Sequence, residues 1–197
     1  MIDYVMQASN LKGEATKLLE NLTLLDVLSR HGIIQLTGSY QYDLMTKRDI
    51  DICVGIEDPS LDVAFTMGRE ISLLPWVGSM YFRNEHVLQT PGNPLAMFWC
   101  VDVHPPGTEK WKVDILVATP GEVDRVVTAG ASVLLGLDEE KRERILAIKG
   151  RLSTAKDYGK TIKSTDIYEA VMTGGVKDLA GWKAWWRNHT IIGNKKK

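Results

Sequence analysis

Gly38-Ser39 is followed after nine residues by Asp49-Ile50-Asp51-Ile52-Cys53-Val54, and these two segments are the most informative part of the sequence. Its second part alternates polar and apolar residues with a period of two, which predicts a β-strand. Side chains two residues apart in a strand point to the same face, so Asp49 and Asp51 lie side by side while the isoleucines face the core. Adjacent carboxylates repel each other, and a cation bound between them relieves that cost. The alternative is an amphipathic strand with both acids in water.

A second predicted strand carries a third acid. In Trp111-Lys112-Val113-Asp114-Ile115-Leu116-Val117, Asp114 is flanked by apolar neighbours. A lone carboxylate in such a strand is costly unless it serves a purpose. Beside the first strand, Asp114 completes a cluster of three carboxylates with Asp49 and Asp51. Such a cluster can hold two Mg²⁺ ions about 3.5–4 Å apart for in-line attack on a phosphate. We therefore expect two divalent ions here, Mg²⁺ or alternatively Mn²⁺.

The Gly38-Ser39 pair precedes the acids and suits a phosphate. Glycine lets the backbone approach a phosphate closely, and the turn's N–H groups and the Ser39 hydroxyl can donate hydrogen bonds to its oxygens. The alternative is an ordinary tight turn after a strand.

Taken together, the Gly-Ser pair, the loop, Asp-x-Asp on a strand and the later apolar-flanked Asp resemble the nucleotidyltransferase superfamily. That superfamily includes DNA polymerase beta, CCA-adding enzymes and the aminoglycoside nucleotidyltransferases. The resemblance covers roughly residues 33–117. It implies that Gly38 and Ser39 bind phosphate, and that the catalytic, metal-binding acids are Asp49, Asp51 and Asp114. It places Asp114 in the position often assigned to base work or to orienting the acceptor hydroxyl.

Two later segments are similar to the helical part of the small single-chain members. They are Leu146-Ala147-Ile148-Lys149 and Lys163-Ser164-Thr165-Asp166-Ile167. The resemblance implies that a helix lysine reaches the triphosphate, with Lys149 the first candidate and Lys163 the second. Asp166 is expected to orient Lys149 or to cap a helix. A solvated helix face is the alternative for each lysine.

The order of predicted elements favours an α+β fold, with a small mixed β-sheet nucleotidyltransferase core flanked by helices and followed by a C-terminal helical extension. We expect a core domain at 1–138 and a basic helical extension at 139–197, although the two parts can share one core. The expected helices span 15–29, 61–74, 141–152, 164–173 and 178–188, and the expected strands 33–36, 49–54, 76–83, 95–104 and 111–117. Pro120-Gly121 is expected to close the last strand.

Composition and charge narrow the class of protein. The 197 residues are 44% hydrophobic and 25% charged, which is typical of soluble globular proteins. No transmembrane run or signal peptide is present, and Cys53 and Cys100 suit reduced, buried thiols, so we expect a cytoplasmic protein without a membrane partner. Residues 1–140 carry 10 Lys and Arg against 20 Asp and Glu, whereas residues 141–197 carry 14 against 5. The basic half either contacts phosphate or is merely well solvated.

The expected function is metal-dependent transfer of a nucleoside monophosphate from an NTP to an acceptor hydroxyl or phosphate. The acceptor is RNA, such as tRNA, or a small molecule, such as an antibiotic. The basic C-terminal part favours RNA slightly, and the compact layout also resembles tRNA-targeting nucleotidyltransferase toxins. The alternative is a non-catalytic module that binds nucleotide or RNA and retains the fold. The resemblance further implies a possible cognate regulatory protein.

A tryptophan cluster near the C-terminus has two interpretations. Trp182, Trp185 and Trp186 have helical spacing. Aromatic residues at this spacing are more often part of a core, and the alternative is an exposed ring that stacks on a base.

Overall fold

A five-stranded mixed sheet forms the centre of the protein in a computed structural model that describes residues 3–193. The strands run in the spatial order β1-β2-β5-β4-β3, and β2 pairs with β5 in parallel while the other neighbours are antiparallel. Their bounds are β1 Ile33–Thr37, β2 Asp49–Gly55, β3 Val77–Asn84, β4 Met97–Val103 and β5 Trp111–Ala118.

Helices pack against both faces of the sheet. Their bounds are α1 Tyr4–Leu22, α2 Leu24–Ser29, α3 Gly38–Gln41, α4 Leu61–Ser72, α5 Glu85–Leu88, α6 Pro120–Val133, α7 Glu139–Leu152, α8 Ser164–Met172 and α9 Leu179–Gly193. Among residues 3–193, no helix has both the length and the apolarity needed to cross a membrane. The last four residues of the expected 139–197 extension lie outside the described part of the chain.

The period-two pattern of the strands divides the sheet into a core face and an open face. On the core face, Ile50 and Ile52 of β2 and Val113 and Ile115 of β5 are almost fully buried. They pack in one cluster with apolar side chains of α1, α2 and α4. At 25 cal/mol per Å², burying such side chains contributes about 1.5–3 kcal/mol each. The opposite face carries the acids and is covered only in part, by α6.

A second apolar cluster joins the C-terminal helices to the N-terminal part of the chain. Ala8 of α1 and Leu44 of the β1–β2 connection belong to the same cluster as buried residues of α7, α8 and α9. The two halves of the sequence therefore share packing, and the division at residue 138 stays a prediction. Trp182 is buried in this cluster with Trp185 and Trp186 packed against it, which confirms the core interpretation of the tryptophans.

One local expectation was wrong, and two local features were not expected. The helix expected over 15–29 is two helices that begin at Tyr4, because Thr23 adopts a left-handed conformation with φ 50°. The last strand ends at Ala118, just before Pro120-Gly121, as expected, but Pro120 also occupies the first turn of a helix that was not expected, α6, where its missing N–H costs nothing. The polar connection before β2 contains Leu44 and Met45, both fully buried, so it is anchored in the core.

Candidate active site

Strand register brings the three acids together on the open face. Asp51 of β2 and Asp114 of β5 are direct partners across the parallel pair, and Asp49 is the partner of Lys112. One ligand oxygen from each of Asp49, Asp51 and Asp114 can be chosen so that all three lie within 4.8 Å of one another. The structure therefore forms the cluster that the two strand patterns predict.

The acids disturb one another's ionisation. Burial, followed by the charges of Asp49 and Asp114, raises the pKa of Asp51 to about 7. Burial also raises the pKa of Asp49, with Lys112 acting in the opposite direction. Without a bound cation, an ionised carboxylate in this position destabilises the folded state, because nearby negative charges and loss of water both disfavour it. Such perturbed acids in a cavity are typical of functional sites.

The unsatisfied oxygens of the cluster fit a divalent cation. Within the described residues, Oδ1 of Asp49 and Oδ1 of Asp114 are buried and lack a hydrogen-bond partner. Buried polar atoms without partners are rare in folded proteins. Carboxylate oxygens are the ligands that Mg²⁺ and Mn²⁺ take, so the donor set suits these ions.

Lys112 is a site residue that the sequence interpretation missed. Its ammonium group contacts Asp114, and its Nζ lies 3.6 Å from Oδ1 of Asp49. Burial would lower the pKa of Lys112, but Asp49 and Asp114 outweigh it and raise that pKa. The sequence does contain a signal, because Lys112 precedes Asp114 by two residues in one strand and must share its face.

Gly38 is placed directly against the acids. It begins α3 with φ 65°, a left-handed conformation that favours glycine. A Cβ at this position would lie 2.8 Å from Cγ of Asp51 and closer still to Oδ2. Gly38 therefore lets the turn at the end of β1 approach the carboxylate, and it carries Ser39 beside it in the first turn of α3.

Lys149 lies in the interior and not on a solvated face. Only 4% of its surface is exposed, and its Nζ donates to the carbonyl oxygen of Leu44 at 2.7 Å and to the Tyr168 hydroxyl at 3.0 Å. Burial lowers the pKa of Lys149 to about 8, against the attraction of Asp51 and Asp49. The lysine therefore ties α7 and α8 to the segment that links Gly38 to the acids.

Lys163 and Asp166 occupy the start of α8. The backbone N–H of Lys163 donates to Oδ2 of Asp166 at 2.6 Å, so Asp166 caps the helix, as one of its two expected roles. The Lys163 residue is exposed. Thr165, two residues later, lines the cavity that contains the acids.

That cavity extends along the open face of the sheet. Its volume is about 780 Å³, and its floor includes Asp51, Asp114, Cys100 and Phe98. Three valines of α6 line the opposite side, Val126, Val127 and Val133. Arg83 of β3 lines the cavity next to Phe98. The cavity thus combines two acids of the cluster with apolar walls, a combination that is typical of small-molecule sites.

Comparison with solved structures identifies the fold. A chain of the GLD-2/RNP-8 complex matches with a TM-score of 0.51 and 12% identity, over 85% of this chain and 64% of that one. A cytoplasmic RNA terminal U-transferase matches with a TM-score of 0.54 and 16% identity, over 84% of this chain and 52% of that one. Both have the nucleotidyltransferase fold, so the predicted fold is confirmed. The chain spans less than two thirds of either matched protein.

No protein-family model matches the sequence, and no curated protein does. At identities of 12% and 16%, the two matches show a shared fold. The roles of individual residues rest on the geometry of the site described above.

Proposed function

We propose that this protein is a metal-dependent nucleotidyltransferase that moves a nucleoside monophosphate from an NTP to an acceptor. The observation that carries the proposal is the cluster of Asp49, Asp51 and Asp114, whose ligand oxygens come within 4.8 Å of one another beside the glycine turn at Gly38. A phosphate held by that turn lies next to carboxylates able to bind two Mg²⁺ or Mn²⁺ ions. When bound, such ions neutralise the charge of the leaving pyrophosphate and lower the pKa of the attacking hydroxyl.

The reaction assigns a role to each group of residues. The acceptor oxygen forms a bond to the α-phosphorus, the bond between that phosphorus and the bridging oxygen breaks, and pyrophosphate leaves. The backbone at Gly38 and the Ser39 hydroxyl hold the triphosphate. Asp114 orients the acceptor hydroxyl and takes its proton. Lys149 stays the first candidate for contact with the triphosphate, and it also positions the connecting segment, because its ammonium holds the carbonyl of Leu44.

Lys163 is kept as the second candidate for contact with the triphosphate. Its support is its position at the start of α8, whose Thr165 lines the same cavity as Asp51. The exposed residue can move toward a phosphate without leaving a buried partner unpaired.

RNA is the acceptor that we favour, with tRNA as one form and a small molecule such as an antibiotic as the rival. The balance of 14 basic to 5 acidic residues after position 140 suits a polyanion. The two matched structures include one described as an RNA terminal U-transferase, which supports the same class. We place the protein in the cytoplasm, since Cys53 and Cys100 are both free thiols. A cognate regulatory protein remains a further expectation.

The test is transfer of label from each of the four α-³²P-NTPs, with Mg²⁺ or Mn²⁺, into total tRNA and into aminoglycosides and lincosamides. Label is expected in RNA, and it should disappear in Asp49→Asn. Asp102→Asn is the matched control, because Asp102 lies on the same face next to Lys112 in register but outside the cluster. Label in a drug and not in RNA would show that the acceptor is a small molecule and not RNA. Transfer that survives in Asp49→Asn would contradict the metal site.

One observation favours a second candidate, a non-catalytic module that binds nucleotide or RNA. The Lys112 ammonium contacts Asp114 and lies near Asp49, so the chain supplies a cation of its own to two of the three acids. Calorimetric titration with an NTP, in the presence and in the absence of Mn²⁺, separates the two candidates when it is combined with the transfer assay. Nucleotide binding that needs no metal, together with no transfer to any acceptor, would favour the binding module.

A further inference from the structure

Arg83 is an arginine at the far end of the cavity that the proposed chemistry does not use. It lies on β3, opposite Phe98 of β4 in register, and its guanidinium Cζ is 4.8 Å from the centre of the Phe98 ring. It lines the cavity that also contains Asp51 and Asp114. Its side chain is 35% exposed, so part of it can meet a ligand.

A buried carboxylate fixes this arginine from behind. Glu85 is only 1% exposed, and its Oε1 lies 2.9 Å from Nε of Arg83. The same carboxylate accepts hydrogen bonds from the side chain of Asn93 at 2.8 Å and from the backbone N–H of Thr90 at 3.0 Å. Glu85 is therefore held by the loop that follows α5, and Arg83 is held by Glu85. Among the described residues Nε has no hydrogen-bond partner, so its contact with Glu85 is an ion pair. The two Nη groups carry the other four N–H donors of the guanidinium.

The order of the strands in the sheet indicates which of the two substrates lies next to Arg83. The sheet runs β1-β2-β5-β4-β3, so the turn at Gly38, the acids and Arg83 follow one another in that direction. In-line displacement puts the attacking oxygen on the side of the α-phosphorus opposite to the leaving pyrophosphate. If the triphosphate extends from the acids toward Gly38, the acceptor must enter from the side of β4 and β3. The end of the cavity lined by Phe98 and Arg83 is thus the acceptor end.

We propose that Arg83, positioned by Glu85, binds the last phosphodiester of an RNA acceptor. The inference rests on the proposed function and adds to it the part of the acceptor that is recognised. The guanidinium of Arg83 is paired with the Glu85 carboxylate and lies over the Phe98 ring. Its Nη donors form a planar fork, which matches two oxygens of one phosphate. A cationic acceptor, such as an aminoglycoside, would meet like charge at this position.

The experiment compares two RNA oligonucleotides that differ only in their last internucleotide linkage, phosphodiester in one and uncharged methylphosphonate in the other. The wild type is expected to use the phosphodiester acceptor with a kcat/KM about 10- to 100-fold higher, the effect typical of one charge-assisted hydrogen-bonded contact. Arg83→Met keeps the aliphatic stem over Phe98 and is expected to remove this preference, with the KM for NTP unchanged. Arg83→Lys should restore part of the preference, because it keeps the charge without the fork.

The matched control is Arg69→Met, because Arg69 is an exposed arginine of α4, which packs on the core face of the sheet. It should keep the full preference. An equal loss on both oligonucleotides in folded Arg83→Met and Arg83→Lys would overturn the inference and make Arg83 structural. A preference that persists in these variants would overturn it too. No transfer by the wild type to either RNA would instead overturn the proposed function, and the inference with it.

Discussion

Replacing Asp51 with asparagine is expected to stabilise the metal-free fold while removing the activity. The pKa of Asp51 is raised from 3.8 to about 7, first by burial and then by Asp49 and Asp114. At 1.36 kcal/mol per pH unit, that difference amounts to at most about 4 kcal/mol of destabilisation by the ionised carboxylate. Because Asp51 keeps partial contact with solvent, we expect about 1–3 kcal/mol of stabilisation in Asp51→Asn at pH 8.

The sign of the pH dependence follows from the raised pKa. Above pH 7, Asp51 is ionised in both folded and unfolded chains, and the full cost is present. As the pH falls from 7 toward 3.8, the folded state takes up the proton first, and the cost declines. The advantage of Asp51→Asn should therefore shrink by about half or more between pH 8 and pH 5.

The assay is urea unfolding followed by tryptophan fluorescence, with EDTA present, at pH 8 and pH 5. Asp102→Asn is the control of opposite sign, since hydrogen bonds from Lys110 and Ser79 lower the pKa of Asp102 against the effect of burial. It should lose at most about 1 kcal/mol. An Asp51→Asn variant that is less stable than the wild type at pH 8, or whose advantage is the same at both pH values, would contradict the effect expected from the raised pKa of Asp51.

Three further outcomes are expected. Gly38→Ala should cost about 1–2 kcal/mol of stability, because an alanine at this position must adopt a left-handed backbone conformation. It should also lower label transfer at least about tenfold. Transfer at the wild-type rate would contradict a role for the close approach of Gly38 to the acids. Lys149→Met should cost about 1–3 kcal/mol in urea unfolding because the buried carbonyl of Leu44 loses its donor, and an unchanged midpoint would show that the bond is dispensable. Burial raises the pKa of Cys53 and of Cys100 to about 11. Both thiols should therefore react with iodoacetamide at pH 8 roughly 100-fold more slowly than free cysteine. Mass spectrometry measures the rate of alkylation, and a rate close to that of free cysteine would contradict this expectation.

The acid cluster could be predicted from the sequence because the direction of each acid depends only on its neighbours in the same strand. Alternation in β2 puts Asp49 and Asp51 on one face, and the apolar neighbours of Asp114 put it on the open face of its own strand. A family resemblance then supplied the pairing of the two strands. Lys112 could have been found by the same local rule, since it precedes Asp114 by two positions.

Other parts of the site depend on contacts between distant segments and could not be predicted in this way. The position of Arg83 follows from the pairing of β3 with β4 and of β4 with β5, and no local pattern fixes those registers. The burial of Lys149 follows from the packing of α7 on the connection that contains Leu44. Helix α6 was missed because Pro120-Gly121 is typical of a turn as well as of a helix start.

The parallel pairing of β2 with β5 also fixes when the site can first exist during synthesis. Asp51 and Asp114 are register partners, yet α4, β3, α5 and β4 lie between them in the sequence. At about 5–20 residues per second, a ribosome makes Asp114 about 3–13 s after Asp51. During that interval the nascent chain carries an acid pair without its third member, and the lysine of α7 arrives later still. A ribosome stalled before β5 therefore holds a chain without the third acid, and the proposed activity can begin only after β5 has been translated.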